Sequence, residues 1–379
     1  MILNKNFKVF FLLLQAGLWE KDVQLLKYGR IDFKKVMQQA EEQSVVGLVT
    51  AGLEHVIDTK MSHESLVPFI GRTLQIEQRN KAMNDFIAKL IKFLNDKGIK
   101  AVLVKGQGVA QCYERPLWRA CGDVDLLLDD ENYQKAKDLL IPLASSVDEE
   151  NAYNKHIAMT INGWVLELHG TLRSGLWRRM DKEIDALQQE TFLNEQVRLW
   201  QNGNTEVSLL KVEYDVFYVF THILQHFYKE GIGLRQICDW CRLLWIYRSE
   251  IDINILESYI RKAGLMSEWK AFAAFAVFYL GMPVEAVPIF NTDDYHSINL
   301  RKKAEKINDF IMLTGNFGHN RDYSYYTKYP YVIFKTISLW RHIKDSLKYF
   351  MIFPIDSIKV TYRMLSIGFS VALKGKRHE

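Results

Sequence analysis

Apolar residues recur at helical spacing through the first hundred positions, give way to a two-residue alternation, and then return to helical spacing. Ile76, Met83, Phe86, Ile87, Leu90, Ile91 and Leu94 fall near a 3.6-residue period. They predict a long helix over 63–97, ended by the glycine of Asp96-Lys97-Gly98. Two further helices are expected over 4–17 and 31–55. Between 99 and 170 the pattern switches to strands near 100–104, 123–128, 156–161 and 164–169. Asn162-Gly163 is a strong two-residue hairpin turn between the last two. Asp130 is placed to cap a helix over 131–141, closing at Pro142. Helical spacing resumes over 179–189, 212–229, 233–248, 252–263 and 268–280, so residues 171–318 read as helical, with Pro283 and Pro288 marking a loop. The expected fold is α+β, a small mixed sheet flanked by N-terminal and C-terminal helical regions. The expected divisions are a helical region (1–98), an α/β core (99–210), a helical domain closing its cleft (211–318) and a basic, tyrosine-rich C-terminal region (319–379).

Composition narrows the class. The chain has 379 residues, 48% hydrophobic and 25% charged, with only 7 prolines. That is an ordinary globular mix, long enough for a sizeable core. Four cysteines point to a reducing compartment rather than a disulfide framework. Cys238-x-x-Cys241 lies inside a helical pattern with no second pair nearby and reads as core thiols before zinc or redox chemistry. The apolar run Val9–Leu14 resembles a signal peptide's core, but no small-x-small cleavage site follows, and it is too short to span a membrane. A core helix and a cytoplasmic location are expected. Net charge is +4 but uneven, because residues 320–379 hold eleven Lys and Arg against four acids. Tyr323, Tyr325, Tyr326, Tyr329 and Tyr331 crowd the same region, and the run Trp340–Phe350 is amphipathic and cationic. This region reads as a solvated face, or as a contact for a membrane surface or partner protein. The modest overall charge argues against an extended nucleic-acid track.

The chemistry concentrates in Cys121-Gly122-Asp123-Val124-Asp125-Leu126. Side chains at i and i+2 of a strand share a face, so Asp123 and Asp125 converge at one strand end. Two such carboxylates repel, and magnesium, a hard cation that keeps waters and substrate phosphates in its shell, relieves the repulsion. Upstream, Lys105-Gly106-Gln107-Gly108 follows a short strand and opens a helix, which is the form of a phosphate-binding turn. Lys105 would neutralise phosphate or stand at the strand end in solvent. Arg119 would clamp the terminal phosphate or pair with the aspartates. Glu167, on the alternating strand Trp164–His169, would complete the metal site and orient or deprotonate an attacking hydroxyl. His169 shares its face. His222 and His226 lie one helical turn apart; they line the pocket or pack in the core, since no third zinc ligand is evident. Arg235 and Asp239 have the same spacing and read as a helix ion pair or as part of cleft closure.

Taken together, Lys105-Gly106, Tyr113, Pro116, Arg119 and Gly122-Asp123-x-Asp125, followed by Leu166-Glu167-Leu168-His169, resemble the signature of the bacterial nucleotidyltransferase-like proteins within the DNA polymerase β superfamily. Phe220–His226 and Leu234–Asp239 look like helical elements of the same proteins, so the likeness spans roughly 95–245. The usual Gly-Ser turn reads Gly106-Gln107 here, leaving Lys105, Gln107 or Arg119 to replace the serine's phosphate contact. The resemblance implies transfer of a nucleotidyl group from a nucleoside triphosphate, with two Mg2+ ions, to a small-molecule, sugar or protein hydroxyl. The alternative is a catalytically degenerate nucleotide-binding protein with a regulatory or interaction role.

Overall fold

The computed structural model describes residues 5–151, 155–229, 231–316, 333, 337, 340, 344 and 346–373. The tyrosine-rich stretch 323–331 and, within 340–350, residues 341–343 and 345 lie outside the described residues. The fold is α+β. Four helices come first: α1 (Lys5–Trp19), α2 (Phe33–Glu42), α3 (Val46–Glu54) and α4 (His63–Asn95). The single helix expected over 31–55 is two, because Ser44 takes a left-handed conformation, φ +56°, that turns the chain. The sheet region follows as β1 (Val102–Val104), α5 (Gly106–Ala110), β2 (Asp123–Leu127), α6 (Asp130–Leu140), β3 (Ser146–Val147), β4 (His156–Ile161), β5 (Trp164–His169), α7 (Arg178–Leu193), β6 (Val197–Asn202) and β7 (Thr205–Leu210). The cap of α6 is Asp129, whose carboxylate accepts the Asn132 amide, and not Asp130, which is already helical. The described chain continues through α8 (Val212–Lys229), α9 (Leu234–Ile246), α10 (Ile253–Ala263), α11 (Met266–Leu280), α12 (Thr292–His296), α13 (Ile298–Thr314) and α14 (Pro354–Leu373).

The seven strands lie in the order β3-β4-β5-β2-β1-β7-β6. β2 runs antiparallel to β1 and parallel to β5. β6 and β7 form a hairpin within the span expected to be helical, and they extend the sheet beyond β1. One face of the sheet carries Val124, Leu126, Leu166, Leu168, Ile157 and Met159, buried against Met83, Ile87, Leu90 and Leu94 of α4 and Tyr133 and Leu140 of α6. Each such side chain contributes roughly 1.5–3 kcal/mol by leaving water. The opposite face adds Val102, Val104 and Leu127 to a larger core that runs from α1 through α8, α9 and α11 to Tyr349 and Phe353. The polar residues of that second face are therefore held between the sheet and the C-terminal helices. Among the described residues no helix is long and apolar enough to cross a membrane.

Candidate active site

At the end of β1 the chain turns through two successive left-handed residues, Lys105 at φ +57° and Gly106 at φ +44°. Lysine seldom adopts this conformation. Its side chain swings over β2, placing Nζ 2.9 Å from Asp125 Oδ1. Asp125 is only 2% exposed. A carboxylate so buried needs charged or hydrogen-bonding partners, and Lys105 is one. His169 is the other, its Nε2 lying 2.9 Å from the same Oδ1. Asp123 sits two residues earlier on the same strand face, half-buried. The charge of Asp125, and then burial, raises its pKa against the opposing pull of Lys105.

The parallel register of β2 and β5 sets Glu167 directly beside Asp125. The third carboxylate thus faces the same side of the sheet as the aspartates. Burial alone would raise its pKa, but hydrogen bonds from His156 and His169, and then the Lys105 charge, hold it well below the usual carboxylate range. Its Oε2 lies 3.1 Å from His156 Nε2 and 3.4 Å from His169 Nε2. For His169 the balance is opposite: burial would lower its pKa, yet Asp125 and Glu167 raise it. Three acids, one lysine and two imidazoles form a single network on this face. Lys105 in turn stays protonated: burial works against its charge, but Asp125 outweighs it.

Helix α8 faces this network with Tyr218, His222 and His226, which share one helical face. The ammonium of Lys105 is felt at the Tyr218 phenol, which burial pushes up. His222 and His226 meet with their Nε2 atoms 3.0 Å apart. Burial, together with the charge of Lys105, drives His222 well below the usual histidine range, so it is neutral.

The remaining expected residues have other partners. Gln107 is buried and donates to Asn80 Oδ1 on α4 at 2.8 Å, so its side chain faces the core rather than the turn. Gly108 packs closely on β7: a Cβ there would lie 2.7 Å from Leu209 Cδ2, so that side chain would have to shift. Arg119, expected at a phosphate, is held by Asp239 instead, Nε to Oδ1 at 2.7 Å and Nη2 to Oδ2 at 2.6 Å. Tyr113 donates to the same carboxylate at 2.7 Å. Asp239 thus pairs with Arg119 and Tyr113, and Arg235 donates to the Ala120 carbonyl. Cys238 and Cys241 are buried free thiols that burial pushes up, which suits core packing.

His156 was absent from the residues singled out in the sequence, although the signal was present. A two-residue Asn162-Gly163 turn, with φ of +52° and +80°, pairs Ile161 with Trp164 and so counts back to His156 opposite His169.

Residues 29–280, well over half of the chain, match the model of a family described as uncharacterised nucleotidyltransferase. Among solved structures the chain is similar to an antigenic nucleotidyltransferase-like protein from Paracoccidioides brasiliensis, at 14% identity over 56% of this chain and 96% of that one, with a TM-score of 0.32. No curated protein matches. The chain belongs to the uncharacterised nucleotidyltransferase family.

Proposed function

We propose that this family member transfers a nucleotidyl group from a nucleoside triphosphate to a hydroxyl acceptor, in the manner of the DNA polymerase β superfamily. One observation carries the reading: Asp123, Asp125 and Glu167 share a sheet face beside the left-handed Lys105-Gly106 turn. Asp123 and Asp125 are hard oxygen donors that fit Mg2+, with Glu167 as the third carboxylate. Bound Mg2+ supplies charge neutralisation at the phosphates and alignment of the reacting groups. The acceptor oxygen bonds to the α-phosphorus, the bond to the pyrophosphate oxygen breaks, and the acceptor proton passes to Glu167. Its low pKa keeps Glu167 ionised for metal binding and makes it a weak base, so the proton it takes passes on to solvent. Lys105 faces the developing phosphate charge, and Tyr218, His222 and His226 wall the acceptor side of the cleft. The acceptor belongs to the class of small molecules, sugars or protein side chains.

A second reading, a nucleotide-binding protein without turnover, is favoured by the engagement of Gln107 with Asn80 and of Arg119 with Asp239. Calorimetry with each nucleoside triphosphate, with and without Mg2+, followed by pyrophosphate release across an acceptor panel, separates the two. Transfer predicts Mg2+-dependent binding, pyrophosphate release, and a loss of at least about a hundredfold in rate for Asp125→Asn, roughly 3 kcal/mol of barrier. Binding with no release on any acceptor selects the second reading. Binding indifferent to Mg2+ defeats both roles for the aspartates.

A further inference from the structure

The cluster of His156, Glu167 and His169 does more than an oxygen-only magnesium site requires. Each residue offers one ligand atom, and the three atoms lie within 4.8 Å of one another. The two nitrogen–oxygen separations, 3.1 and 3.4 Å, match the spacing of adjacent ligands around a cation with bonds near 2.1 Å, about 3–3.5 Å. The ligands stand on a hydrogen-bonded hairpin, His156 directly opposite His169, so their geometry is set by sheet register rather than by loops. In the metal-free arrangement His156 turns a proton at Nε2 toward Glu167 Oε2, and the Nε2 proton of His169 lies between Asp125 Oδ1 at 2.9 Å and Glu167 Oε2 at 3.4 Å. A dication can replace those protons and satisfy all three groups.

Imidazole nitrogen suits Zn2+, Fe2+, Ni2+ and Cu2+, whereas Mg2+ takes oxygen. We infer that His156, Glu167 and His169 form a second cation site, specific for a first-row transition-metal dication and different in ligand chemistry from the Asp123–Asp125 position. Two nitrogens and one oxygen leave coordination positions open for water or a substrate oxygen. The site's role in catalysis rests on the proposed nucleotidyl transfer; its existence does not.

The test uses the full chain stripped of metal with a chelator. Zn2+ is titrated calorimetrically and Co2+ by its visible d–d absorption, both without nucleotide. One equivalent of each is expected to bind, with Co2+ bands that report nitrogen ligation and with Mg2+ competing poorly. His156→Ala and His156→Gln should each weaken binding more than about tenfold while keeping the far-UV circular dichroism of the folded metal-free protein. Asp123→Asn should leave it intact. Absence of stoichiometric Zn2+ or Co2+ binding, binding by both His156 variants as tight as that of the wild type, or displacement by equimolar Mg2+ overturns the inference and makes the imidazoles mere hydrogen-bond donors to Glu167. Nucleotide binding measured separately keeps the proposals apart: wild type that binds Zn2+ but no nucleotide keeps this site and discards the transferase reading.

Discussion

Arg119 and Asp239 show how one buried charge commits another. Their side chains are 6% and 7% exposed, and the guanidinium meets the carboxylate through two hydrogen bonds. Removing either partner strands a charge in the interior, which costs about 3–5 kcal/mol. Arg119→Ala and Asp239→Asn are therefore expected to lower the unfolding free energy of the ligand-free protein by that amount in urea titrations. A phosphate-clamping arginine would behave differently, losing nucleotide affinity while ligand-free stability stayed unchanged. This pair was not legible in the sequence because its members are 120 positions apart, and the Arg235–Asp239 spacing offered a local partner instead. Asp123 and Asp125 were legible as a pair because the two-residue strand period assigns faces within one strand, whereas the side on which Glu167 stands is set by the β2–β5 register. Lys105 was legible as a charge beside the site, but its contact was not: the left-handed backbone that aims it at Asp125 carries no side-chain signature.

Helices α1 and α3 approach so closely that glycine is obligatory where they cross. A Cβ on Gly52 would lie 1.9 Å from the Leu13 carbonyl oxygen, and one on Gly17 would lie 1.9 Å from the Leu48 carbonyl oxygen. Backbone cannot yield as a flexible side chain can, so Gly52→Ala should cost at least about 1–3 kcal/mol. Gly71 in α4 is the control, since nothing lies within 4 Å of a Cβ built there. Gly71→Ala should instead stabilise by roughly 0.5–1 kcal/mol through helix propensity. Opposite shifts in thermal midpoint are the expected result, and a common sign would defeat the steric account. Elements with a strong period were legible to their ends: β4, β5 and α8 occupy the expected residues. The β6–β7 hairpin was not, although its turn, Gly203-Asn204, carries the same two residue types as Asn162-Gly163 in reverse order. Exposed Leu199 and half-buried Trp200 on β6 break the clean alternation that marks β4, because this hairpin is the sheet's edge.

Across the molecule, the sheet's cleft is closed by a core that joins the N-terminal helices to the last ones. Trp19 Nε1 donates to the Leu280 carbonyl at 2.5 Å and Gln15 Nε2 to the Tyr279 carbonyl at 2.8 Å, tying α1 to α11. On α11 this core also encloses Glu268, which is 0% exposed. Neither of its carboxylate oxygens has a hydrogen bond of ordinary geometry among the described residues. Burial, and then Asp356 of α14, push its pKa up to about 8, with Lys303 of α13 opposing. Tyr228 of α8 also feels the charge. In the unfolded chain the same group titrates near 4.5. Between those values the folded protein holds a proton that the unfolded chain has released, so stability declines as pH rises through that window and levels off above about 8. Glu268→Gln keeps the shape and removes the proton linkage. Plotted as wild type minus variant, the unfolding free energy should fall from about pH 5 to about pH 8 and be flat beyond. A flat difference across the whole range would mean that Glu268 is ionised in place, with Lys303 or water compensating its charge. Because α11 bridges the first and last helices, the transition should be the same whether unfolding is followed by tryptophan fluorescence or by far-UV circular dichroism.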